Sequence, residues 1–185
     1  MERYSLSSPF LSLLIYVVIL LSVAPEQRVL SQLSSIENKI PRSVPLKIGF
    51  KNYDKENWWR DLQITAANTG NKPIYYLWLI LWLDTTDGNG KQRALSFKCG
   101  NVEKFYSTSN EETAREGDVA ILPGETYIFM LDSSSVKFWN LLKQRDVFSE
   151  PRKAVLDHGF TSFGDGTGLL AGGTPFSQKK NANQF

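Results

Sequence analysis

The ten residues from Ile74 to Leu83 are all apolar, and their order constrains the fold more than any other feature of the chain. Split by parity, Tyr75, Leu77, Leu79, Leu81 and Leu83 fall on one side and Ile74, Tyr76, Trp78, Ile80 and Trp82 on the other. Successive side chains of a strand point to opposite faces, so this order makes one face aliphatic and the other aromatic. The run is short of the roughly 20 residues of a transmembrane helix and suits a central strand covered on both sides.

Alternation of period two and turn signals surround this run. Leu46, Ile48 and Phe50 alternate with polar partners, and Leu62 and Ile64 do the same before the turn Asn68-Thr69-Gly70-Asn71. Asp87-Gly88 and Asn89-Gly90 turn the chain back into a strand from Arg93 to Cys99. Val119, Ile121 and Leu122 read as a strand reaching the turn Pro123-Gly124, and Tyr127 to Leu131 returns as another. Ser133 to Ser135 cap a short helix that carries Val136, Phe138, Trp139, Leu141 and Leu142. Ala154 and Leu156 with Phe160 to Phe163 make the last strand. Roughly six or seven strands, one short helix and no βαβ rhythm predict a mainly β chain, an immunoglobulin-like antiparallel β-sandwich over residues 45–176.

Upstream lies a segment of different character. Of the 15 residues from Phe10 to Ala24, 13 are apolar, and residues 1–24 read as an N-terminal apolar helix, either a signal peptide or a membrane anchor. Ser22-Val23-Ala24 fits cleavage after Ala24, whereas Pro25 at the next position opposes it, so both forms stay open. Val29, Leu33, Ile36 and Ile40 recur with a helical period that Pro41 ends, which predicts a short amphipathic helix over 26–40 within a stalk of residues 25–44. The composition of residues 177–185 predicts a disordered tail. The single cysteine, Cys99, allows no intramolecular disulfide and reads as a small buried hydrophobe. The expected location is extracytoplasmic, either secreted or periplasmic, or membrane-anchored.

Three blocks carry a likeness to known sequences: Asn68-Thr69-Gly70-Asn71-Lys72-Pro73-Ile74, Leu122-Pro123-Gly124-Glu125-Thr126-Tyr127 and Phe163-Gly164-Asp165-Gly166-Thr167-Gly168. In this order, over residues 45–173, the chain resembles a group of uncharacterised exported bacterial proteins. Similar glycine-rich hairpins occur in sandwich modules of the polycystic-kidney-disease-repeat kind, a likeness of fold alone. The resemblance implies a sandwich fold and export, gives Gly164, Asp165, Gly166 and Gly168 the role of a structural turn, and implies no activity.

Composition excludes several chemistries. With 21 Lys+Arg against 19 Asp+Glu the net charge is +2, which gives no electrostatic footprint for nucleic acid. One histidine removes every site needing two imidazoles, and His158, beside Gly159, reads as a surface or turn residue. Gly166-Thr167-Gly168-Leu169-Leu170-Ala171 matches a dinucleotide fingerprint by letters, but Gly172-Gly173-Thr174-Pro175 cannot build the helix that motif requires, so no cofactor is expected. Asp84, Asp87 and Asn89, and Asp165 with Asp157, offer oxygen ligands to calcium, yet Asp and Asn are turn residues in their own right, and no metal site is assigned.

The aromatic residues supply the candidate binding site. Trp58, Trp59, Trp78 and Trp82 are the candidate ligand-binding residues, and Tyr76 belongs to the same aromatic set, although such side chains are also ordinary core material. Trp58-Trp59, flanked by Asp54, Lys55, Glu56 and Arg60, is expected to be the more exposed pair. The expected function is a non-catalytic binding or interaction module for protein or glycan at the cell envelope. The alternative is a carbohydrate-binding module using an exposed Trp/Tyr face, and a distant one is an envelope hydrolase with paired carboxylates.

Overall fold

A computed structural model describes residues 35–54, 57–106, 113–145 and 150–177. The signal or anchor segment, the first part of the expected stalk helix and most of the expected C-terminal tail lie outside the described residues. The fold is mainly β, with antiparallel pairing predominant and few helices. Its centre is β4 (Tyr76–Thr86), which runs antiparallel to β5 (Gln92–Gly100) on one side and to β7 (Lys153–Ser162) on the other.

The parity of β4 shows directly in its burial. Leu77, Leu79, Leu81 and Leu83 are at most 1% exposed, each worth about 2 kcal/mol of apolar transfer. Trp78, Ile80 and Trp82 on the opposite face stay half-buried, so the expected cover on both sides is incomplete. A second, smaller apolar cluster of Tyr76, Phe105 and Phe160, with Tyr106 stacked edge-on against Phe160 at 5.1 Å, covers that face at one end. The alternation also fails before Tyr76. Tyr75 packs on Phe105 at 5.5 Å in the second cluster, while Ile74 joins the main core and bridges to Ile121.

The large sheet has the order β5-β4-β7-β8-β9, where β8 is Thr167–Leu170 and β9 is Thr174–Ser177. β1 (Ser35–Asn38) pairs in parallel with the first part of β7, from Ser35↔Lys153 to Asn38↔Leu156. This corrects the last part of the stalk helix expected over residues 26–40. In Ser35-Ile36-Glu37-Asn38 the helical and strand periods are both possible, and pairing with β7 satisfies backbone groups while Ile36 packs on the core. The strands β8 and β9, four residues each, are additional to those expected.

A second sheet has the order β2-β3-β6, formed by β2 (Leu46–Lys51), β3 (Gln63–Asn68) and β6 (Thr126–Phe129). Its inward residues Ile48, Phe50, Ile64, Ala66 and Phe129 share one core with the leucines of β4 and with Leu95, Phe97 and Cys99 of β5. The expected strand Val119 to Leu122 reduces to the single bridge between Ile121 and Ile74. Of the short helices α1 (Trp58–Asp61), α2 (Val102–Phe105) and α3 (Ser133–Gln144), the last is capped by Asp132, whose carboxylate accepts from the Ser134 and Ser135 amides. The Ser134 hydroxyl, with the Ser135 amide and hydroxyl, holds the Asp132 carboxyl down at about 2, and the cap stands one residue before the expected serines. Among the described residues no helix is long and apolar enough to cross a membrane.

Candidate functional site

Trp78 and Trp82 stand on the same outward face of β4, four residues apart, which a strand rise of about 3.3 Å per residue makes a separation of about 13 Å. Strand register sets their neighbours. Trp78 lies between Lys98 and Phe160, Ile80 between Ser96 and Asp157, and Trp82 between Ala94 and Val155. The result is an apolar stripe along β4 with hydrogen-bonding and charged groups on both flanks.

The Trp78 ring is fixed from several sides. Its Nε1 donates to Ser96 Oγ at 3.3 Å, Lys98 Nζ stands 5.5 Å from the ring centre, and Tyr106 meets it edge-on at 5.4 Å. Beneath it, β7 carries one extra residue, because Trp78 pairs with Phe160 whereas Leu79 pairs with His158. That residue is Gly159, where a Cβ would approach Trp78 Cδ2 to 2.8 Å. The bulge and its glycine therefore make room for the indole.

Trp58 and Trp59 do not belong to this face, and the expectation that they are exposed is corrected: they are 2% and 1% accessible. They stand in the helical turn α1 and not in a strand, so adjacent residues need not point to opposite sides. Trp58 Nε1 donates to the Pro151 carbonyl at 2.8 Å, and Trp59 Nε1 to Glu150 Oε2 at 3.1 Å. Trp59 also packs against Trp139 of α3 at 5.9 Å. Both indoles fasten α1 to the core and to the segment entering β7.

His158 is likewise corrected from a surface or turn residue to one 1% exposed within β7. The bulge at Gly159 brings His158 and Thr161 to one face, and His158 Nε2 lies 2.8 Å from Thr161 Oγ1. Burial holds the imidazole below its ordinary proton affinity, against an opposing pull from the Leu170 carbonyl and Asp157.

The acidic loops are occupied by backbone. Asp87 Oδ1 accepts from the Lys91 and Asn89 amides at 2.9 Å each, which lowers its proton affinity, and Asp84 accepts from the Arg152 amide at 2.9 Å. Gly164, Asp165 and Gly166 form the turn from β7 into β8, and Gly168 lies in β8. The turn closes through Phe163 N donating to Thr167 O at 3.0 Å, with φ of +69° at Gly164 and +80° at Gly166. Burial raises the Asp165 carboxyl, but Lys72 Nζ at 2.7 Å and Thr167 outweigh it, and the group stays ionised. Among the described residues no three acidic, histidine or cysteine side chains group as a metal set.

The three sequence blocks meet at one corner of the fold. Asn68, 1% exposed, donates from Nδ2 to the carbonyls of Lys72 at 2.8 Å and Ile121 at 2.9 Å and accepts from the Gly70 amide. Lys72 in turn holds Asp165 and Thr167. The residues beside Trp78 and Ile80 on this outward face that the sequence alone does not reveal are Lys98, Ser96 and Asp157. Their signal is the alternation of polar positions along β5 and β7, which register alone converts into neighbours of Trp78 and Ile80. No family model matches the chain, and no curated protein and no solved structure matches it.

Proposed function

We propose that this chain is a non-catalytic glycan-binding module of the cell envelope, an exported immunoglobulin-like β-sandwich that is either secreted or tethered by the segment Phe10 to Ala24. The apolar N-terminal run and the resemblance to exported bacterial proteins support export, and two sheets sharing one core support the sandwich. The observation that carries the binding function is the half-buried stripe Trp78, Ile80 and Trp82 with Lys98, Ser96 and Asp157 beside it. Sugar rings stack on aromatic faces while their hydroxyls seek donors and acceptors at the rim, and a stripe about 13 Å long suits an extended chain of rings.

The test is a tryptophan-fluorescence titration of the full chain with soluble oligosaccharides of peptidoglycan, chitin and xylan type. A saturable change with one of them is expected, weakened in Trp78→Ala and in Trp82→Ala by about 1 kcal/mol each. If none of the glycans alters the emission, or if both variants bind like the parent chain, the glycan reading is wrong.

A further inference from the structure

β6 is an edge strand without the usual protection of an edge. Among the described residues its paired neighbour is β3, and the other side faces β5 across a groove of about 490 Å³ lined in part by Phe97, Lys98, Tyr127, Ile128 and Met130. Exposed edges normally carry a charge, a proline or a bulge that discourages pairing with another chain. Tyr127 to Leu131 has none of these, and Tyr127, Ile128 and Met130 are 38%, 51% and 63% exposed. From Thr65↔Ile128 and Ile64↔Phe129 the strand presents Ile128 outward and Phe129 to the core, so its solvent face is apolar on a sheet otherwise bearing Lys47 and Lys51.

We propose that β6 pairs with β6 of a second copy of this chain, antiparallel about a twofold axis at Ile128. In that register Ile128 meets itself, Tyr127 meets the partner's Phe129, and Thr126 meets the partner's Met130. Residues of equal parity face each other, so backbone groups that turn away from β3 meet groups that do the same. Like charges are not opposed, since Glu125 faces the partner's Leu131 and Asp132 faces the partner's Gly124. The strand is thus its own complement, as a twofold interface requires, and the two small sheets become one continuous sheet. Pairing sets Ile128 against Ile128 and Met130 beside the partner's Thr126 on the outward face, and on the core side it brings Tyr127 toward the partner's Phe129, the ring pair that already meets within one chain at 4.8 Å. A strand this short makes a small interface, and the association depends on concentration.

The experiment is sedimentation equilibrium of the full chain in detergent over a range of concentrations, with the variants Ile128→Lys and Met130→Lys and a cysteine cross-link. A concentration-dependent dimer of twice the 21.0 kDa chain mass is expected, lost in Ile128→Lys, which sets two ammonium groups together on the axis, and weakened in Met130→Lys. In a Cys99→Ser background, Ile128→Cys is expected to form a disulfide-linked dimer under mild oxidation faster than Val119→Cys, a 78% exposed control position off the strand. Near-UV circular dichroism reports whether each variant keeps its packing. A monomer at every concentration overturns the pairing, as does a dimer that survives both lysines, which would place the contact elsewhere in the chain. Equal cross-linking at positions 128 and 119 also overturns it.

Discussion

The indole of Trp78 lies across Gly159, in the space where a side chain at position 159 would otherwise stand. One glycine therefore couples a strand bulge in β7 to the placement of an aromatic ring on the outward face of β4. Gly159→Ala would force the ring or the bulge to shift, and overpacking of this kind costs about 1–3 kcal/mol. Urea unfolding should show that loss, and the near-UV dichroism of the folded variant should change. Parental stability and an unchanged aromatic spectrum would show that Trp78 does not depend on the bulge.

Asn68 ties the turn after β3 to Ile121, so its removal should act on stability first. Asn68→Ala leaves two carbonyls without their donor in a buried setting, for a loss of about 2–4 kcal/mol. Asn68→Asp keeps the acceptor for Gly70 and loses both donors, so it should be destabilised as well. Thermal melts of the two variants decide this, and melting within about 2 °C of the parent would contradict the hub role.

The buried imidazole of His158 gives a pH dependence of defined sign. In the unfolded chain it gains a proton near 6.5, whereas in the folded chain burial holds its affinity lower. Its contribution is therefore fully present above the unfolded value and is lost as pH falls through 6.5 toward the folded one. His158→Gln removes the titration, and the slope of unfolding free energy between pH 7 and pH 5 should flatten. The lowered carboxyls of Asp87 and Asp118 act in a separate window, losing their contribution below the ordinary 3.8. An identical slope in parent and variant would assign it to other groups.

Trp58 offers the contrast that separates the core from the proposed binding face. Trp58→Phe keeps most of the apolar bulk but leaves the Pro151 carbonyl unpaired, so stability should fall by about 1–3 kcal/mol. Glycan affinity of the folded variant should stay at the parental level, unlike that of Trp78→Ala. A loss of affinity without a loss of stability would return Trp58 to the candidate ligand-binding residues.

The mainly β character and the strand positions were legible because period-two alternation survives wherever one face is buried, as in Leu46, Ile48 and Phe50. The rest was hidden by local ambiguity that only long-range pairing resolves. Ile36 and Ile40 fit a helix period, yet β7 offers Ser35–Asn38 an unpaired flank. Trp58 and Trp59 looked like strand neighbours of opposite facing until the helical turn put both indoles inward. His158 next to a glycine looked like a turn, because a bulge inside a buried strand has the same letters. On the candidate site, Trp78 and Trp82 could be placed on one face from parity, whereas Lys98, Ser96 and Asp157 required the register of three strands.

β1 joins the large sheet in parallel, with its four residues in register along β7, and it is the first described element of the chain. Tension applied at Ser35 along the strand axis is then resisted by those backbone bonds acting together, in shear, and not opened one at a time. Load entering at Ser35 is thereby carried by the same β7 whose Gly159 lies beneath Trp78, so the strand that anchors the start of the described fold also seats its outward indole.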